Sequence, residues 1–361
     1  MKILFVLPEL CYSGGAKQLM IIAPALPPDR FEIRVCVLGK TNGRAETLHT
    51  TGVQVDTLRW TRRFDATPFL LLRQVVRGFQ PDVIHVWGLS ALRAVLPAAK
   101  CSRLVVGRAL PSTLREPALS RFDRWLLRRT HCALACSQAE AESYRRLGVS
   151  ARQVLLIPPG VGTQAESIRH QVLLKAALGL SEHASLLVCV GPLEARKGFR
   201  DAIWAMDILK YVYDNLHLVL IGDGPERQAL ERFAHSIRVN DRVHFLGELD
   251  NASAILSQAQ VVWVPSVARG GSNVALEAMA AGRPVVAGRV PELAEIVVDG
   301  ETGFVVSSGD KVALARRTRM LLADSDLRER LGRAGQERAR RDYSVAALVR
   351  AYAGFYQAAV A

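Results

Sequence analysis

SVARGGSNVALEAMAAGRPVVAG, residues 266 to 288, is the stretch on which the fold turns. GGSN (270 to 273) opens a run of good helix formers, VALEAMAA, which stops at Gly282 and leads at once into the apolar run RPVVAG (283 to 288). Another apolar run, VVWVPSV (261 to 267), comes just before. Strand, glycine turn, helix, strand is a βαβ unit, and its two strands must lie parallel. The backbone N–H groups at the start of such a helix, and the positive end of its dipole, suit a phosphate or a sugar hydroxyl. Glu277 rides on this helix, and eight residues before it stands Arg269, a residue of opposite charge.

The same alternation extends in both directions. Ahead of the unit lie KILFVL (2 to 7), EIRVCVLG (32 to 39), VQVDTL (53 to 58), DVIHVWG (82 to 88), RLVVGR (103 to 108), CALACS (132 to 137) and VLLIPPG (154 to 160). The pattern then restarts with SLLVCVG (185 to 191), LHLVLIGDG (216 to 224) and RVHFLGEL (242 to 249), and it closes with GFVV (303 to 306). Short apolar runs separated by helical stretches give an α/β fold with two doubly wound, Rossmann-like domains facing across a cleft. The expected boundaries are residues 1–164 for the first Rossmann-like domain and 165–343 for the second, with 344–361 as a helix packing back on the first. Ligands in such sheets bind beyond the carboxyl ends of the strands. SGGAK (13 to 17) and IGDGPE (221 to 226) both lack the full GxGxxG spacing, and no Walker A sequence is present, so hydride transfer and NTP hydrolysis lose their usual support.

Composition bounds the rest. A chain of 361 residues, half of them hydrophobic, exceeds one ordinary core. Its six cysteines show no paired spacing and read as reduced thiols of a cytoplasmic protein. Pro8 and Glu9 cut the first apolar run short of a signal sequence, and no segment is apolar enough to span a bilayer. The net charge of +13 is uneven: residues 1–166 hold 23 Lys and Arg against 12 acids, whereas the remainder holds 24 against 22. A basic half attracts something anionic, either a phospholipid face or a lipid phosphate, or simply keeps the surface soluble. Nucleic acid is excluded as a partner for want of any binding signature. PALSRFDRWLLRRTH (117 to 131) places Leu119, Phe122, Trp125 and Leu126 at helical spacing among Arg121, Arg124, Arg128 and Arg129. That is a peripheral membrane helix, or an apolar stripe packed on the sheet. His85 reads as a satisfied core or cleft residue, and DSD (324 to 326) as a helix start rather than a metal motif.

Five blocks, GPLEARKGFRDAI (191 to 203), LVLIGDGPERQAL (218 to 230), VHFLGELDNASAIL (243 to 256), residues 261 to 287 and PELAEIVVDGETGFVV (291 to 306), resemble the family 4 glycosyltransferases of the GT-B fold in order and spacing. SGGAKQLMIIA, PDVIHVWG and LLIPPGV resemble the same family more loosely. The resemblance implies a retaining transferase that moves a sugar from a nucleotide-diphosphate sugar to a glycan, lipid or small molecule. It implies no metal and no tightly bound cofactor. Lys197 matches the lysine used on the diphosphate, and Glu277 the glutamate that accepts from the ribose hydroxyls. Fixed positive charge suits this chemistry, because negative charge grows on the departing diphosphate. Arg196 is a second source of it, Gly270 and Gly271 a turn that lets the helix start approach, and Ser272 or Asn273 a cap for that helix. Gly14 and Gly15 play the matching part in the first half.

Three positions depart from the family's pattern. Arg269 stands where a glutamate would meet the donor sugar, Pro192 where an arginine is usual, and Arg108 where a histidine is usual. Arg108, Arg196 and Arg269 together restore positive charge, which fits a rewired site. A non-catalytic nucleotide-sugar-binding protein, or another GT-B reaction such as epimerisation or phosphorolysis, remains the alternative. For Arg269 itself the sequence leaves three roles: gripping an anionic sugar or acceptor phosphate, replacing the arginine missing at Pro192, or facing solvent.

Overall fold

The computed structural model describes residues 1–11, 14–59, 67–97, 102–107, 120–162, 174–249 and 252–360. The chain divides into two compact units, Met1–Pro159 with Val345–Ala361, and Gly160–Ser344. Each is a parallel sheet covered by helices on both faces.

The first unit holds β1 (Lys2–Leu7), β2 (Glu32–Val37), β3 (Gln54–Thr57), β4 (Val83–Trp87), β5 (Arg103–Gly107), β6 (Cys132–Ala135) and β7 (Val154–Leu156), in the spatial order β3-β2-β1-β4-β5-β6-β7. Successive side chains of a strand point to opposite faces. So Leu4, Val6, Ile84, Val86, Leu104 and Val106 enter one core, while Ile3, Phe5, Leu7, Val83, Trp87 and Val105 enter the other. Strands buried on both faces read as near-continuous apolar runs, which is why KILFVL and VIHVW, the latter interrupted only by His85, show no regular alternation in sequence. The helix Val345–Val360 belongs to this unit and adds Leu348, Tyr352 and Tyr356 to the second core. It locks onto the sheet through His85, which is wholly buried. Trp87 Nε1 donates to His85 Nε2 at 2.8 Å, and His85 Nδ1 lies 2.7 Å from the Tyr356 hydroxyl. An indole N–H can only donate, so Nε2 accepts and the proton of the neutral ring sits on Nδ1, directed at the tyrosine oxygen. His85 is thus a core residue.

The second unit holds β8 (Ser185–Val190), β9 (Leu216–Ile221), β10 (Val243–Gly247), β11 (Val261–Val264), β12 (Val285–Gly288) and β13 (Gly303–Val306), in the order β10-β9-β8-β11-β12-β13. Trp263 sits at its centre with Nε1 bonded to Thr318 Oγ1 at 2.7 Å, so its one polar atom is satisfied in the core. Asp324 of the DSD segment caps the helix Ser325–Asp342 by accepting from Leu327 N. The order of strands reverses between β8 and β11, and this is where an open sheet of this type offers a ligand site.

Candidate active site

The loops that follow β8, β11 and β12 meet at that reversal. After β8 the chain passes Gly191 and Pro192 into a single 3-10 turn, Ala195–Lys197, and then Gly198 in the left-handed region at φ 72°. A methyl group on Gly198 would stand 2.0 Å from the carbonyl oxygen of Pro265. Only glycine lets the turn press this close to the loop after β11. Two further bonds stitch the loops together: Val267 N donates to Arg196 O at 2.9 Å, and Arg196 Nη1 donates to Arg269 O at 2.9 Å. Arg196 also gives its Nε to Glu194 Oε2 at 2.5 Å. Its guanidinium therefore serves the loops themselves.

Lys197, held by the same turn, is different. Its side chain is partly buried, and its ammonium makes no hydrogen bond and no ion pair with any described residue. Burial pushes its pKa down to about 8, the neighbouring Arg196 guanidinium lowers it too, and the Glu194 carboxylate opposes the shift. A methyl group on Gly270 would sit 2.8 Å from Lys197 Nζ and 3.1 Å from Arg196 Nη1, in addition to clashing with a φ of 127°. The turn thus brings bare backbone beside the ammonium.

Gly271 follows at φ 91° and is itself the N-cap of the helix Ser272–Ala280, which has no side-chain cap. This corrects the expectation that Ser272 or Asn273 caps the helix. Once Gly271 occupies the cap in the left-handed region, both of those residues lie inside the first turn. One side of the following helix carries Glu277, only 8% exposed, whose Oε2 accepts from Ser253 Oγ at 2.9 Å. Ser253 lies on the short helix Ala252–Leu256.

Arg269 is paired with an acid that the sequence reading did not single out. Its Nε donates to Glu292 Oε1, and the two side chains are 27% and 6% exposed. Glu292 stands in the first turn of the helix Pro291–Ile296, four residues beyond the end of β12. Its second oxygen, Oε2, is buried and has no hydrogen-bond partner among the described residues. Arg269 therefore does not face solvent. The signal available in the sequence was an acid placed in the first turn of a helix soon after a strand end. Glu194 was missed as a partner two residues away in the same turn, and Ser253 as a partner from a separate helix.

The structure thus brings together Arg196, Lys197, Arg269, Gly270 and Gly271, with Glu277 on the helix that follows. Gly14 and Gly15 begin the helix Gly14–Ala25 of the other unit. Arg108 lies outside the described residues.

Two doubly wound parallel sheets are the architecture of the GT-B glycosyltransferases. Residues 12–165 match the model of Glycosyltransferase Family 4 and residues 173–338 that of Glycosyl transferases group 1. The chain is 30% identical to the lipopolysaccharide core biosynthesis glycosyltransferase LpsD of Rhizobium meliloti (strain 1021), over 83% of each chain. It is 32% identical to the phosphatidyl-myo-inositol mannosyltransferase of Mycobacterium leprae (strain TN), over 74% of this chain and 71% of that one. Among solved structures, Anabaena Alr3699/HepE in complex with UDP and glucose superposes with a TM-score of 0.87 at 21% identity, covering 99% of this chain and 100% of that one. The protein belongs to the family 4 glycosyltransferases.

Proposed function

We propose that the protein transfers a sugar from a nucleoside-diphosphate sugar to a hydroxyl of a lipid-linked or otherwise anionic acceptor, with retention at the anomeric carbon. Lys197 carries the donor assignment. A partly buried ammonium without a hydrogen-bond partner, with a pKa pushed down to about 8, beside a bare glycine turn and an uncapped helix start, is a site that an anion completes. In the reaction the bond from the anomeric carbon to the β-phosphate oxygen breaks and a bond to the acceptor oxygen forms. The acceptor's proton is released together with the diphosphate. Negative charge grows on the departing diphosphate, where the ammonium and the helix N–H groups lower its energy more than they lower that of the bound donor. Glu277, an acceptor-only group with one oxygen held by Ser253, suits the vicinal diol of a ribose.

The family resemblance is what supports retention. The printed names of LpsD and of the mycobacterial mannosyltransferase support an acceptor in glycolipid assembly. The basic first half supports an anionic one, and peripheral attachment to a membrane face fits both. No described helix is long and apolar enough to cross a membrane. Arg269 in place of the expected glutamate favours a second reading, a protein that binds the donor without transfer.

Purified protein with a panel of UDP-, GDP- and ADP-sugars decides between them. A donor at a hundredfold over its Kd adds about 2.7 kcal/mol of stability, readable as a thermal shift. Bound donors are then incubated with anionic lipid acceptors, product is sought by mass spectrometry, and its anomeric configuration is read from the proton coupling. Binding without product supports the second reading, and binding of no nucleotide removes both.

A further inference from the structure

Glu292 has more acceptor capacity than the fold uses. Its side chain is almost entirely buried, Oε1 is taken by Arg269, and Oε2 has no donor among the described residues. A buried carboxylate oxygen is costly to leave unpaired, so a fold that keeps one there is incomplete without a donor from outside. Chain connectivity says what that donor accompanies. Arg269, which holds Glu292, has its carbonyl bound by Arg196, and the next residue, Gly270, faces the Lys197 ammonium. The sugar of a nucleoside-diphosphate sugar is bonded directly to the diphosphate. Groups one residue away from the diphosphate's cation are therefore placed to meet the sugar.

We infer that Glu292 is the residue that recognises the transferred sugar, accepting a hydrogen bond from one of its hydroxyls, and that Arg269 is the positioning residue that holds it. This rests on the reading of Lys197 as the diphosphate ligand. The charge of the guanidinium is matched by the carboxylate, so the pair offers no free cation to a carboxylated sugar. A uronate would instead bring a second carboxylate toward the open oxygen of Glu292. The donor sugar is accordingly neutral, and the pair at 269 and 292 selects for hydroxyls.

The experiment uses the full-length protein and isothermal titration with UDP, GDP and ADP, their glucose and mannose conjugates, and UDP-glucuronate. Glu292→Gln lowers affinity for the neutral nucleotide sugar about tenfold or more, since a charged acceptor is lost, while the free nucleoside diphosphate binds within about twofold of the wild type. Arg269→Met lowers the same affinity, and Arg269→Lys restores most of it. The wild type binds a neutral sugar conjugate more tightly than the matching uronate, a comparison that requires no variant to fold. Unchanged sugar affinity in Glu292→Gln overturns the inference, as does an equal loss for sugar conjugate and free diphosphate, or tighter binding of the uronate. Failure of the wild type to bind any of these diphosphates overturns the underlying reading, and the inference with it.

Discussion

Replacing Lys197 with methionine separates a residue kept for function from one kept for the fold. The usual lysine pKa of 10.5 falls to about 8 here, so the fold prefers the neutral amine. For a base with a lowered folded pKa, the cost of holding the charged form is present in full below pH 8. It fades as pH rises from 8 to 10.5, where the unfolded chain binds more protons than the folded one, and it is gone above that range. At 1.36 kcal/mol per pKa unit the drop corresponds to roughly 3 kcal/mol. Solvent still reaches part of the side chain, which leaves about 1–2 kcal/mol at neutral pH. Methionine has a similar length and no charge, so Lys197→Met should relieve this cost and raise the midpoint of thermal unfolding. In a unit of this size each kcal/mol is worth about 2–4 °C. Turnover should fall by about two to three orders of magnitude, the scale of a lost electrostatic donor at a site of growing charge. Calorimetry at pH 7 and steady-state transfer rates on the same preparation measure both. A variant that melts lower than the wild type yet turns over normally would refute the reasoning, because Lys197 would then be a structural residue.

The same titration predicts a pH profile for binding. Nucleoside diphosphate prefers the ammonium form, so affinity should be full below pH 8 and decline toward tenfold per pH unit above it; a flat profile from pH 7 to 9.5 removes Lys197 from the contact. Glu277→Ala should weaken the free nucleoside diphosphate by about 1.5–3 kcal/mol, the worth of hydrogen bonds to a charged group, with the 2′-deoxy nucleotide losing less; equal losses for both would place Glu277 away from the ribose. On the helix Arg121–Arg128, Leu126 and Leu127 turn inward and Asp123 is buried against Arg93 at 2.7 Å, but Phe122 and Trp125 remain 55% and 46% exposed, their rings stacked at 5.8 Å. Vesicles containing anionic lipid should retain the wild type at low salt and release it at high salt, and F122A/W125A should bind about tenfold more weakly; equal recovery on neutral vesicles would dispose of a membrane role.

The apolar stripe over 119–126 shows where sequence patterning stops. Leu119 lies outside the described residues. Of the rest, Leu126 packs in the core while Phe122 and Trp125 stay outside, and the residue between them, Asp123, is buried because Arg93 and Ser120 satisfy it. Hydrophobic spacing ranks side chains by their own preference for water and carries no information about a partner thirty residues away. The strands were legible for the opposite reason. A parallel strand covered on both faces, such as Val261–Val264, must be apolar throughout whatever its neighbours are. In the site, the loops after β8 and β11 could be placed from the strands that feed them. The pairs Arg269 with Glu292 and Glu277 with Ser253 could not, because each depends on how two separate segments approach, and Arg196 with Glu194 depends on how the one turn between them folds. The helix cap was misplaced because serine and asparagine are the better caps by preference, whereas the left-handed backbone at Gly271 decides the matter.

These pairings change what the cluster of positive charge means. Arg196, Lys197 and Arg269 read in sequence as three cations waiting for an anion. In the folded unit Glu194 and Glu292 have already taken the two guanidiniums, and Arg196 spends a further N–H on the carbonyl of Arg269. Planar, permanently charged and able to donate in several directions, arginine suits this bridging of loops. Lysine, a compact charge whose pKa yields to burial, suits the open position. Compensating Arg196 also protects Lys197. A bare Arg196 guanidinium beside it would lower its pKa further, because the Glu194 carboxylate is what opposes the shift. Glu194 thus offsets part of the shift that burial and Arg196 impose, and Lys197 stays an ammonium at neutral pH, the form that the proposed diphosphate contact needs.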